Sequence, residues 1–152
     1  MHALDLTKHA PRSPWEKLDG LYLMPRTIDK LRAQLPGGAC GEYVTEIGLS
    51  QLLLKMLRVE EEALRRTVAE ADSDQDVAAW LRTHTDAARY EKISAILSGL
   101  TAADVTPDLK EPFARFYAGR DADLVNIFDI LDWDDRRSFA VSESPGTAKQ
   151  TA

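Results

Sequence analysis

In the run "LMPRTIDKLRAQLPGGACGEY", Leu23 to Tyr43, four ionisable residues (Arg26, Asp29, Lys30 and Arg32) fall within seven positions. A glycine-rich break holding the only cysteine, Cys40, separates them from Glu42 and Tyr43. Arginine presents a planar fork that matches a carboxylate or a phosphate. Free backbone N–H groups at a helix start attract anions, which brings in Arg12 beside the predicted start at Ser13. Arg12, Arg26, Asp29, Lys30, Arg32, Glu42 and Tyr43 therefore make a candidate ligand-binding set. Its chemistry suits a non-catalytic binding or interaction module for a small anionic ligand or a protein partner. The alternative is an enzyme with Asp29 or Glu42 as acid or base and Arg26 or Arg32 holding a substrate carboxylate or phosphate.

The helix carrying these residues also has a bland reading. Met24, Ile28, Leu31 and Leu35 recur at the 4-3-4 spacing of a buried stripe. On a wheel Arg26, Asp29, Lys30 and Ala33 lie opposite that stripe, and Arg32 lies roughly 70° from its centre, at the boundary. Asp29 is three residues from both Arg26 and Arg32, so a solvated face laced with exposed ion pairs is predicted, worth little to stability. Pro36-Gly37-Gly38 ends the helix, and "PGGACG" lacks the G-x-x-x-x-G-K-[ST] pattern of a phosphate-binding loop. Its glycines stop the helix and permit positive φ.

Other chemistry is weaker. Asp72, Asp74 and Asp76 have the spacing that opens a calcium loop, but Val77 stands where glycine is needed and Thr83 where the bidentate glutamate belongs. Asp121, Asp123, Asp129, Asp132, Asp134 and Asp135 put six carboxylates in fifteen residues. The first two suit the positive start of a last helix, and Arg120, Arg136 and Arg137 neutralise the rest. His2, His9 and His84 are too far apart to pair on a metal, so no metal and no cofactor is assigned. Cys40 cannot form an internal disulfide and has no identifiable base, so no nucleophile is assigned. Trp15, Trp80, Trp133, Phe113, Phe116 and Tyr117 read as core.

Composition bounds the partners. The chain has 152 residues, 44% of them hydrophobic and 29% charged, which suits one folded domain. Nineteen basic against 25 acidic side chains give a net charge of -6, the wrong sign for nucleic acid or anionic lipid. Residues 1 to 40 are nonetheless net +2 and the remainder net -8. DNA binding through a helix pair around Arg58 is opposed by Glu60, Glu61 and Glu62. No membrane-spanning run and no secretion signal is seen, so a cytoplasmic location is expected.

The elements that must position the candidate set are helical. Ser13, Pro14 and Glu16 predict a short capped helix ending at Gly20, and a second helix opens at Pro25. "GEYVTEI", Gly41 to Ile47, is the one plausible strand. From Gly48 to Ala71 two helices are expected, parted near Arg58-Val59-Glu60, with Leu49, Leu52, Leu53, Met56 and Leu57 on one face and Ala63, Leu64 and Val68 on the other. Ser73 and Asp76 box a helix that carries Val77, Trp80, Leu81 and His84. Thr85 or Asp86 caps the next, with Tyr90, Ile93, Leu97 and Leu100 on one face, and it breaks near Gly99. Pro107 and Pro112 bracket the start of another, which carries Phe113, Phe116 and Tyr117 and ends at Gly119. A last helix is placed at Asp123 to Leu131. The sum is a mainly α single compact domain of six to eight helices over residues 1–141, with at most one short strand or hairpin near 41–47. Residues 142–152 make a flexible polar tail.

"DLTKHAPRSPWEKLDGLYLMPRTIDKLRA", "GEY", "LSQLLLKML" and "NIFDILDWDD" together resemble a bacterial family known as domain of unknown function 5069. The resembling positions are Asp5, Leu6, Pro11, Arg12, Ser13, Pro14, Pro25, Arg26, Asp29, Lys30, Arg32, Ala33, Gly41, Glu42 and Tyr43. Where that pattern has a Gly-Ile-Asp-like turn this chain has Arg58-Val59-Glu60, and residues 70 to 120 carry none of the resemblance. It implies a bacterial cytosolic protein with no established activity, and it transfers no catalytic role. It does direct attention to residues 25 to 43 as a site, because polar residues held on a loop are more informative than core positions.

Overall fold

In a computed structural model that describes residues 1–46, 48–104 and 117–140, the apolar stripe of the second predicted helix organises the core. Helix α1 (Met24–Ala33) buries Met24, Ile28 and Leu31 completely, and Pro25 sits in the first turn, where its missing N–H has no partner to lose. Leu35 lies beyond the helix end and is half-buried. The chain then folds back so closely that a Cβ at Gly38 would stand 2.4 Å from the Ala33 carbonyl oxygen, which explains a glycine there without any appeal to φ. Ala39 next pairs in parallel with Asp5, its N–H donating to Leu4 O at 3.0 Å.

The helix expected at Ser13 to Gly20 does not form. Residues 13–16 make a turn, with Glu16 N–H donating to Ser13 O at 3.0 Å, and lead into an antiparallel hairpin of β1 (Lys17–Leu18) and β2 (Leu21–Tyr22). Its register pairs Lys17 with Tyr22 and Leu18 with Leu21. The two loop residues Asp19 and Gly20 both have positive φ, 52° and 85°, the condition of the primed turns that Asp-Gly favours. The Asp-Gly pair overrides the capping pattern upstream.

The strand expected at Gly41 to Ile47 is also absent: residues 41–46 hold a turn, a bend and irregular chain between them, and Ile47 lies outside the described residues. Side chains explain this. Tyr43 reaches Asp135, and buried Thr45 joins Gln34 and Glu61, so the segment is anchored sideways instead of along a ladder. The hairpin therefore sits at 17–22.

Six α-helices are present among the described residues. Helices α2 (Leu49–Leu57) and α3 (Glu61–Glu70) part at Arg58, which is left-handed at φ 59°, as the sequence predicts. The inward face of α2 is Ser50, Leu53, Leu54 and Leu57, while Leu52 is exposed; a hydrogen bond from Thr27 Oγ1 to Ser50 Oγ at 3.0 Å turns that face toward α1. In α3, Leu64 and Val68 are buried. The predicted capping box opens α4 (Asp74–His84), and Asp86 caps a short 3₁₀ turn that leads into α5 (Tyr90–Ser98).

The helix bracketed by Pro107 and Pro112 lies outside the described residues, as does the predicted tail at 142–152. Helix α6 (Ile127–Ala140) begins later and ends later than expected. Asn126 Oδ1 accepts from Phe128 N–H at 2.8 Å, which sets the start there instead of at Asp123. No glycine or proline interrupts residues 132–140, and Asp135 is held from the far side of the molecule, so the helix continues past Leu131.

The core gathers side chains from the hairpin, α1 to α5 and Phe128, whose ring meets Trp15 edge-on at 5.0 Å and Tyr22 at 6.0 Å. A smaller group of Tyr117, Ile127 and Ile130 lies beside it. Among the described residues no helix is long and apolar enough to cross a membrane. Gly20→Ala meets open space, so its cost is backbone strain alone, about 1–2 kcal/mol in urea unfolding. Gly38→Ala should cost more, because backbone must move.

Candidate functional site

The polar side of α1 is not a solvated face. Arg26 is 2% exposed and Asp29 4%, and Ala33 is buried as well. What covers them is the N-terminal arm on one side and α6 on the other. A wheel treats one helix in water and sees neither.

Asp29 pairs with Arg12, not with Arg26. It accepts from the Arg12 backbone N–H at 2.9 Å, from Nε at 3.0 Å and from Nη2 at 2.9 Å. Arg32 Nη1 adds a longer contact at 3.7 Å, and Arg32 Nε donates to the His2 carbonyl at 2.8 Å. Arg12 also reaches Asp74 in the first turn of α4 through Nη1 and Nη2, and Nη2 donates to the Pro25 carbonyl. Burial opposes the Arg12 charge, but Asp74 and Asp29 more than compensate and hold its pKa above the usual range.

Arg26 instead faces Asp135 of α6 in a bidentate pair, Nη1 to Oδ2 at 2.6 Å and Nη2 to Oδ1 at 3.1 Å. Its Nη1 also donates to the Arg12 carbonyl at 3.1 Å, which links the two arginines. Tyr43 donates from its hydroxyl to Asp135 Oδ1 at 2.8 Å and places its ring 5.4 Å from the Arg26 guanidinium carbon. Arg26 Nε is buried with no hydrogen-bond partner among the described residues.

Lys30, one turn beyond Arg26, is half-buried and donates to the Val44 carbonyl at 3.1 Å. Burial and the nearby Arg26 charge push its ammonium down to about 8, against a weaker opposite pull from Asp135. Burial, then the Asp135 charge, pushes the Tyr43 phenol up, and burial with Asp134 does the same to Tyr117. Asp134 is raised by its own burial first, with Asp135 and Glu42 adding like charge. Glu42 itself is exposed.

The seven candidate residues thus fall into two linked groups. Arg12, Asp29 and Arg32 form one; Arg26, Lys30 and Tyr43 gather around Asp135 to form the other. Glu42 stands by Asp134 and does not converge with Asp29.

Asp135 and Asp74 are the partners that sequence reading missed. Asp129, Asp132 and Asp135 are spaced three apart on one helix, and the arginines near them in sequence are not their partners. Asp129 accepts from Trp15 Nε1 and Asp132 from Ser13 Oγ, both at 2.8 Å. Among the described residues Asp134 takes a neighbouring arginine, Arg137, at 3.4 Å. Asp121 and Asp123 are exposed and precede α6. Cys40 is half-buried, with its thiol pushed up by burial and Glu46, away from the reactive thiolate. His84 ends α4 stacked on Trp80 at 4.2 Å.

The family model described as Domain of unknown function (DUF5069) matches residues 8–137. The chain belongs to this family. The match covers residues 70 to 120, where no resemblance was legible, and it includes Arg12, Arg26, Asp29, Tyr43, Asp74 and Asp135, so the whole network lies within the family's span. No curated protein matches the chain.

Arg26→Ala leaves Asp135 buried without its cation and should cost about 3–5 kcal/mol in urea unfolding. Asp132→Ala, which removes one half-exposed hydrogen bond to Ser13, should cost about 1 kcal/mol. The pH profile has a defined sign. With Lys30 at about 8 in the fold and 10.5 in the open chain, unfolding takes up a proton between those values, so stability rises with pH across that window. The raised phenols of Tyr43 and Tyr117 act oppositely, so stability falls above pH 10, where the unfolded phenols ionise first. Lys30→Met should remove the rise and keep the fall, read as the urea midpoint from pH 7 to 11.

Proposed function

We propose that the protein is a non-catalytic binding module of the cytoplasm that receives an anionic group at Lys30, beside Tyr43. The anionic group is a small carboxylate or phosphate, or the acidic side chain of a protein partner. One observation carries this reading. Arg12, Arg26 and Arg32 each face a carboxylate, whereas Lys30, among the described residues, has only the Val44 carbonyl within reach. An incoming anion supplies the counter-charge that Lys30 lacks and favours the charged form that burial opposes. Anions at Arg12 or Arg26 would have to displace buried internal partners, so the arginines serve the fold.

Acid–base catalysis through Asp29 or Glu42 has less support. Asp29 is enclosed by the Arg12 guanidinium and backbone N–H, and Glu42 lies exposed and apart from it. The net charge of -6 keeps nucleic acid and anionic membranes outside the proposal.

Thermal denaturation tests the reading. Inorganic phosphate should raise the melting temperature of the wild-type protein by a few degrees more than chloride at equal ionic strength. Lys30→Met should lose that increment while keeping its own transition cooperative. A glutamate-rich peptide in place of phosphate separates a protein partner from a small ligand. An equal phosphate effect on both proteins would remove Lys30 from the site.

A further inference from the structure

We propose that the cleft between the hairpin turn and α5 binds a small zwitterion, of the class of free amino acids and dipeptides, with its carboxylate at Lys17 and its ammonium at Glu91. The cleft shares no residue with the Lys30 surface. It exists because the Asp19-Gly20 turn is anchored to the side of α5 at one point. Ser94, 4% exposed, accepts from the Tyr22 N–H at 3.0 Å and donates to the Gly20 carbonyl at 2.7 Å. Around that anchor the facing chain offers only the small side chains of Ala87 and Ala95, and a space of about 520 Å³ stays open. Clefts that hold small ligands measure roughly 300–1,000 Å³ and set a few placed polar groups among apolar ones. Here buried Tyr90 supplies apolar wall, its hydroxyl already engaged with Thr85 Oγ1 at 2.6 Å.

Four charged side chains line the cleft, two of each sign. Arg82 and Asp19 neutralise one another: Arg82 Nη2 donates to Asp19 Oδ1 at 2.5 Å, and Arg82 Nε lies 2.5 Å from Asp19 Oδ2. The other two stand apart. Exposed Lys17, on the strand wall, holds its Nζ 4.2 Å from the centre of the Tyr22 ring and has no carboxylate partner among the described residues. Exposed Glu91, on the helix wall, has no basic partner among them either. Its place in the first turn of α5 suits the helix dipole, which leaves the carboxylate oxygens able to accept from a ligand.

This pattern of charge selects among ligands. An anion alone would satisfy Lys17 but meet the Glu91 carboxylate on the other wall, and a cation alone would meet Lys17. A zwitterion satisfies both. Tyr22, whose ring meets Trp15 edge-on at 5.5 Å, gives the Lys17 ammonium a fixed platform and keeps it at the cleft.

The test is a titration of the intact, isotope-labelled protein with glycyl-leucine, read as amide chemical shifts. The amides of Gly20, Tyr22 and Ser94 should move and saturate at millimolar peptide. The N-acetylated and the C-terminally amidated peptides should each bind about three- to fivefold more weakly, the worth of one partly exposed ion pair. Lys17→Met should bind the free peptide and its amide alike while still discriminating against the acetylated form, and Glu91→Gln should show the reverse. A merely structural role for either residue produces no such exchange. Free leucine in place of the dipeptide decides which length the cleft takes. Lys30→Met should titrate as the wild type does, so this site and the anion site at Lys30 can fail separately. No saturable movement of those three amides with either ligand, or equal affinity for the free, acetylated and amidated peptides, overturns the proposal.

Discussion

The buried pair between Arg26 and Asp135 joins residues 109 positions apart and determines where both ends of the described chain lie. Two charges taken from water are costly unless every oxygen and proton finds a partner. Asp135 meets that demand with two guanidinium contacts and the Tyr43 hydroxyl; Arg26 meets it at both Nη atoms, through Asp135 and the Arg12 carbonyl, and leaves only its Nε without a partner among the described residues. Those partners lie on α6, on the segment after the glycine break and on the N-terminal arm. Each must come to α1 for the pair to exist. Arg12 then carries the network on to Asp29 and to Asp74 at the start of α4.

Helix α1 is consequently enclosed on both faces, by aliphatic side chains on one and by ion pairs on the other. The apolar face supplies the stabilisation, because burial of Met24, Ile28 and Leu31 needs no partner geometry. The polar face supplies selectivity: a buried arginine accepts few arrangements, and one that leaves a carboxylate unpaired is excluded. Several polar residues of the candidate ligand-binding set take part in this network. Arg12 pairs with Asp29 and Arg26 with Asp135, and the Tyr43 hydroxyl completes the second pair. Lys30 shares the helix but not the pairing, and donates to the Val44 carbonyl.

Much of the fold was legible in local terms. The Met24, Ile28, Leu31 stripe, the Ser73–Asp76 box and the break at Arg58 depend on neighbours within one or two turns, and each is present. The hairpin at 17–22 was not read: the capping pattern at Ser13 and Pro14 pointed to a helix ending at Gly20, and the positive φ of Asp19 and Gly20 decides for the turn. The segment at 41–46 misleads for a different reason. Its alternation is real, but Tyr43 and Thr45 answer to side chains on α6, α1 and α3 instead of to a second strand.

The sequence by itself determined a mainly helical domain, the acidic balance and the face of α1 that enters the core, because periodicity and capping are short-range properties. It also brought the polar set from Arg12 to Tyr43 into view. Only the tertiary structure decided what those residues do. Arg26 lies three residues from Asp29 and pairs with Asp135; Arg12 lies seventeen residues from Asp29 and encloses it. A charge takes the partner that desolvates with it, and that partner is chosen by packing across the molecule and not by distance along the chain.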